Sequence, residues 1–143
     1  MKADAKTEAE VRALLTRLTE SYEKQDLEGL MACFAPDPDI VMYGTGADEK
    51  RIGPAGIRIQ AQRDWEQAES ISMAFDWMSI SAAGPVAWAA ADGAFKIRAG
   101  GQEFAMPARA SFVLERRDGE WLVVHGHFSA PAAGQEEGES FPA

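Results

Sequence analysis

Two short turns late in the chain, Gly100-Gly101 and Asp118-Gly119, constrain the fold more than any other feature. Each separates runs of alternating apolar and polar residues. A two-residue type I′ loop needs positive φ at both central positions, which Gly-Gly and Asp-Gly supply. The strand-like runs cover about residues 71–80, 86–98, 103–116 and 120–128, so the second half reads as an antiparallel meander. The first half has the other period. Val11, Leu14, Leu15, Leu18 and Tyr22 fall on one helical stripe that ends near Lys24. Thr7 and Glu10 have the spacing of a capping box at its start. Asp26 caps a second, shorter helix carrying Leu27, Leu30, Met31 and Phe34, and Pro36 and Pro38 stop it. Ile40 to Tyr43 reads as a short strand, followed by a loop in which Asp48 and Glu49 are solvated. Gly53-Pro54 opens a third helix with Ile57, Ala61, Trp65 and Ala68 inward and Asp64 and Glu66 on its surface. Helices first and strands after make an α+β domain, not a βαβ one.

The 143 residues suit one domain over residues 1–131. From Ala130 onward Pro, Gly and Glu dominate, and residues 132–143 read as a flexible acidic tail. Fourteen Lys and Arg against 23 Asp and Glu leave a net charge of −9. That balance argues against nucleic acid, whose binders neutralise phosphates with clustered cations, and against anionic lipid. No apolar run approaches the ~18 residues of a membrane span. The opening Met1-Lys2-Ala3-Asp4-Ala5-Lys6 has no hydrophobic signal region, so a cytoplasmic location is expected. The single Cys33 and two histidines leave a catalytic zinc short of its roughly three protein ligands, so no metal is expected. There is no Gly-rich phosphate loop and no nucleophile elbow, and no cofactor is expected.

Extending both turns without interruption assigns the faces of the sheet. One face carries Trp121, Val123, His125 and His127 beside Leu114, Phe112 and Ala110, then Ala87, Ala89, Ala91, Phe95 and Ile97. The other carries Leu122, Val124 and Phe128 beside Val113, Ser111 and Arg109, then Trp88 and Asp92. Gly126 is where a bulge would exchange the faces beyond it. The first face, apolar and rich in small residues, is expected to curve around the helices. The second is too apolar to face water alone, which predicts a homodimer that uses the patch twice. Asp92 falls opposite Arg109, either as a cross-strand ion pair supporting the sheet or with the guanidinium turned toward a bound anion.

Two stretches carry a family resemblance. Asp26-Leu27-Glu28-Gly29-Leu30-Met31-Ala32-Cys33-Phe34-Ala35 resembles the second-helix segment of the nuclear transport factor 2-like superfamily. The ending Arg116-Arg117-Asp118-Gly119-Glu120-Trp121-Leu122-Val123-Val124-His125-Gly126-His127-Phe128-Ser129 resembles that of SnoaL-like proteins. It is also similar to the association domain of calcium/calmodulin-dependent protein kinase II. The resemblance covers about residues 7–131 and implies a cone, in which three N-terminal helices pack on the concave side of a strongly curved antiparallel sheet. It further implies a pocket between them and a homodimer.

For an enzyme, the resemblance implies an isomerase, a cyclase or a dehydratase-type lyase, but without the ketosteroid isomerase aspartates. Tyr43 stands at the position of that family's base and Ala110 at that of its acidic donor. Proton abstraction beside a carbonyl needs both groups. Phe112 and Phe128 replace the cavity arginines of the kinase domain. The favoured function is therefore binding of a small, largely apolar molecule in the pocket, with His127 at its mouth as the acid or base. Tyr43, Trp65, Arg109 and His125 are the candidate ligand contacts, although a hydrogen bond within the sheet is the simpler role for His125. A non-catalytic association module is the alternative.

Overall fold

The computed structural model describes residues 1–143. The elements run α1 (Ala5–Glu23), α2 (Leu27–Met31), β1 (Val41–Tyr43), β2 (Lys50–Ile52), α3 (Gly53–Gln67), β3 (Ser70–Ala83), β4 (Val86–Ala99), β5 (Gln102–Arg117) and β6 (Glu120–Ser129). All six strands join one sheet in the order β2-β1-β6-β5-β4-β3. No helix is long and apolar enough to cross a membrane.

Local chemistry sets the helix ends, with one departure from expectation. Asp4, not Thr7, caps α1: its Oδ1 accepts from the Thr7 amide at 2.8 Å. The carboxylate is the stronger acceptor, and a cap at Asp4 makes Thr7 the N3 residue. Glu10, released from the capping box, accepts from the Trp121 indole N–H at 2.9 Å and ties α1 to β6. Asp26 caps α2 as its sequence predicts, accepting from the Gly29 amide at 3.0 Å. At the start of α3, Gly53 has φ +74°, and a Cβ there would lie 2.9 Å from the Pro38 carbonyl oxygen. That position needs glycine on both counts.

Both hairpins form as two-residue turns with positive φ at Gly100, Gly101, Asp118 and Gly119. The β4–β5 register follows unbroken from Ala99 opposite Gln102 to Val86 opposite Glu115, with Asp92 opposite Arg109. No ion pair joins these two exposed side chains. In water such a pair gains little against the entropy of holding both chains. The sheet is antiparallel with one exception: β1 runs parallel to β6, with Val41 opposite His125 and Tyr43 opposite His127. β1 arrives from the helical half by a long connection, not from a hairpin, so nothing imposes the antiparallel direction on it. β2, unforeseen in the sequence, pairs antiparallel with β1 across the loop containing Asp48 and Glu49.

Two bulges interrupt the ladders. At the first, Phe75 pairs with Gly93 but Trp77 pairs with Asp92, leaving Asp76 extra. Gly93 lies so close beneath that a Cβ would come 2.1 Å from the Ala74 carbonyl oxygen. The second bulge changes the face assignment. Leu114 pairs with Val123, but Val113 pairs with His125, so Val124 is the extra residue. Beyond it, His125 and His127 share a face with Val113, Ser111 and Arg109, and Gly126 and Phe128 turn to the other.

The helices cover the face bearing Ala87, Ala89, Ala110, Phe112 and Leu114. These pack with Val11, Leu14, Leu15 and Leu18 of α1 in one buried cluster. Helix α1 packs chiefly against β3 and, to a lesser extent, β6. Phe112 is 1% exposed and meets Phe75 and Phe128 edge-on, at centroid distances of 6.1 and 5.5 Å.

Candidate functional site

Tyr22 is the last apolar-stripe residue of α1, where the helix turns away through Gln25, whose φ is +56°. On α3, Ile57, Gln60, Ala61 and Asp64 follow the i, i+3, i+4, i+7 spacing and share the inward face. The Trp65 indole donates to the Tyr22 carbonyl at 3.0 Å, and the two rings lie 6.0 Å apart. This contact fixes the end of α1 against α3.

Between these helices and the sheet lies a cavity of about 270 Å³. Fourteen of its twenty lining residues are apolar or aromatic, including Leu18, Phe34, Met73, Phe95, Met106 and Phe128. Its polar wall is built from Tyr22, Gln60, Asp64 and Glu49. The Tyr22 hydroxyl donates to Asp64 Oδ2 at 2.8 Å. Gln60 Nε2 donates to Asp64 Oδ1 at 2.7 Å and to Glu49 Oε1 at 3.2 Å, and Arg51 Nε donates to Gln60 Oε1 at 3.0 Å. Glu49 also accepts from Arg63 at 2.9 Å and from the Gly46 amide at 2.9 Å. Thus Glu49 and Asp64, expected in solvent, both line the cavity; Asp48 stays exposed and pairs with Arg63.

The electrostatics follow from this placement. Burial pushes the Asp64 carboxyl above the ordinary aspartate range, and the Glu49 charge adds to the shift. Hydrogen bonds from Tyr22 and Gln60, with the Arg63 charge, pull against it. The Tyr22 phenol is held protonated, raised first by burial and then by the adjacent Asp64 carboxylate.

The residues singled out from sequence distribute differently. Tyr43 lines the cavity but is 39% exposed, with its ring 5.1 Å from that of His127. Trp65 acts behind the wall, through Tyr22. Arg109, His125 and His127 do not line the cavity, because the Val124 bulge and the β5 register put them on the opposite face. His125 Nδ1 lies 2.7 Å from the Val41 carbonyl, which it can only approach as a donor, and so it stitches β6 to β1. His127 is exposed. No group of three His, Cys, Asp or Glu side chains is placed to hold a metal ion.

Sequence reasoning therefore missed Tyr22, Gln60 and Asp64 as a site. The signal was present: Gln60 and Asp64 fall on the same helical face as Ile57 and Ala61, where polar residues need a buried partner.

A helical cap over a six-stranded, mostly antiparallel sheet, with a cavity between them, defines a nuclear transport factor 2-like fold. Residues 11–133 match the SnoaL-like domain, and the chain belongs to that family. Among solved structures, it is similar to a nuclear transport factor 2-like superfamily protein from Salmonella enterica serovar Typhimurium. The identity is 21%, covering 97% of this chain and 100% of the other, with a TM-score of 0.84. A candidate calcium/calmodulin-dependent protein kinase II association domain from Xanthomonas campestris is 23% identical over 87% of each chain, with a TM-score of 0.76. A candidate dehydratase of the same superfamily from Streptomyces avermitilis is 16% identical over 87% of this chain and 97% of the other, with a TM-score of 0.80. No curated protein matches the chain. Likeness at these identities carries the fold, and the fold hosts several activities.

Proposed function

We propose that this SnoaL-like domain binds a small, largely apolar molecule in the cavity between its helices and its sheet. The observation that carries the reading is the composition of the cavity: an apolar enclosure of about 270 Å³ with its polar groups gathered on one wall. Sites for small organic molecules have this form, with apolar walls for affinity and a few placed polar groups for orientation. Within that reading, a proton exchanged with the bound molecule passes through Asp64. It is the carboxyl whose burial raises its affinity for a proton, and it faces the cavity. His127 does not line the cavity and reaches its rim only through the Tyr43 ring, 5.1 Å away. The chemistry compatible with one half-buried carboxyl and a neighbouring phenol is that of an isomerase, cyclase or dehydratase-type lyase.

The test is a thermal-shift and calorimetric screen of small aromatic and alicyclic compounds against wild type and Ala61→Phe, which puts a ring into the cavity. Binding to wild type that is lost in Ala61→Phe supports the reading. Binding that survives the filled cavity, or none across the screen, defeats it.

A second reading, self-association, rests on the outer face of the sheet. Trp88, Val113, His125 and Val41 form one row across β4, β5, β6 and β1, without a charged side chain among them. Trp77, 54% exposed, shares this face. An uncharged band of this kind suits a two-fold homodimer, and dimerisation leaves the cavity open to its ligand.

A further inference from the structure

From the hydrogen-bond inventory of the polar wall we infer that the ligand carries a hydrogen-bond-donating, cationic head, a protonated amine, on an apolar body. This inference rests on the binding reading above and adds the chemical class of what binds.

Every donor of the inner wall is already engaged within the protein. The Tyr22 O–H points at Asp64. Gln60 uses its amide nitrogen on both Asp64 and Glu49, and its oxygen is held by Arg51. The Thr19 hydroxyl donates to the Thr16 carbonyl at 3.0 Å. The Gly44 amide donates to the Glu49 carbonyl at 2.8 Å. The remaining hydroxyls of the lining, on Tyr43 and Thr45, belong to exposed residues. What the inner wall still offers is acceptors: the second lone pairs of the two Asp64 oxygens and of Glu49 Oε2, and the oxygen of the Tyr22 phenol, while Glu49 Oε1 already accepts from both Gln60 and Arg63. No Lys, Arg or His lines the cavity. Arg51 and Arg63 approach from behind, where the contacts already described occupy them.

A ligand with an acceptor or an anion at its polar end would thus meet lone pairs and carboxylates and leave its own group unpaired, at a cost in affinity. An ammonium supplies up to three donors and makes the charge-assisted bond to a carboxylate, the strongest that this wall can form. The net charge of −9 favours approach of a cation over that of an anion.

Three probes of one skeleton separate the alternatives: 4-phenylbutylamine, 4-phenylbutanol and 4-phenylbutanoate, titrated calorimetrically at neutral pH. The expected order is amine, then alcohol, then carboxylate, with the amine at least about tenfold tighter than the carboxylate. Asp64→Asn, which gives up the charge and introduces a donor, should erase most of that preference. Glu49→Gln serves as the second variant should Asp64→Asn fold poorly, and should narrow the preference in the same direction. Equal binding of all three by wild type, or tightest binding of the carboxylate, overturns the assignment of the head group and leaves the apolar pocket standing. Binding of none of the three, together with no compound from the wider screen, overturns the binding reading and this inference together.

Discussion

Tyr22 at the end of α1 and Asp64 in the second half of α3 are joined by a 2.8 Å hydrogen bond across 42 residues of sequence. The bond closes the polar wall of the cavity and holds the carboxyl at its lining. Tyr22→Phe removes the donor and keeps the ring beside Trp65. One of the two hydrogen bonds restraining the Asp64 carboxyl is then gone, so its pKa should rise further. A side-chain carbon-detected NMR titration checks the direction. Stability should fall by about 1–3 kcal/mol, the range for a part-buried polar group left without its partner.

Asp64 also sets a pH dependence. The folded chain holds the Asp64 proton more tightly than the unfolded chain, so ionising this group costs stability. The cost is absent at pH below the ordinary aspartate range. It grows as pH rises toward the folded-state pKa and stays constant above it. Asp64→Asn removes this contribution. The stability of wild type relative to the variant should therefore decline in urea titrations as pH rises through and beyond the ordinary aspartate range. A constant difference over that rise would contradict the placement of Asp64 in the cavity wall.

Phe112 is the centre of the inner face, 1% exposed between Phe75 and Phe128. Phe112→Ala should cost roughly 3–5 kcal/mol in a denaturant titration, combining lost burial with the void left behind. A loss near zero would show that the faces of β5 are reversed.

The two histidines offer a sharp contrast with Asp64. His127→Gln should leave affinity for a molecule in the cavity unchanged within a factor of about two, because the His127 side chain packs against Tyr43 and is not itself part of the lining. A tenfold or greater loss in calorimetry would bring His127 back to the site.

Val113→Asp tests the outer face. A carboxylate in the middle of the uncharged row should shift sedimentation toward monomer while ligand binding persists, since buried unpaired charge opposes association. A sedimentation profile identical to that of wild type would remove this face from any interface.

Much of the architecture is legible in the sequence. Turn chemistry at Gly100-Gly101 and Asp118-Gly119 depends on φ alone, and it determined two hairpins and the whole β4–β5 register, including Asp92 opposite Arg109. The apolar stripe of α1 and the Asp26 cap are equally local, and they formed as their spacing requires. The closing motif from Arg116 to Ser129 also pointed to the family to which the chain belongs.

Tertiary structure alone decided the site. The extra residue at Val124 carries no residue signature of its own. It moved His125 and His127 to the outer face, because a period-2 element exchanges every later side chain when one residue is inserted. In place of the Gly126 bulge considered from sequence, Gly126 faces inward, where a Cβ would meet Met42 Sδ and Cε at 2.8 and 2.6 Å. Likewise, nothing local brings Tyr22, Glu49, Gln60 and Asp64 together, since the wall exists only where the end of α1, the β1–β2 loop and α3 converge. Local chemistry wrote the elements into the chain, and the docking of distant surfaces chose which polar groups would face the cavity.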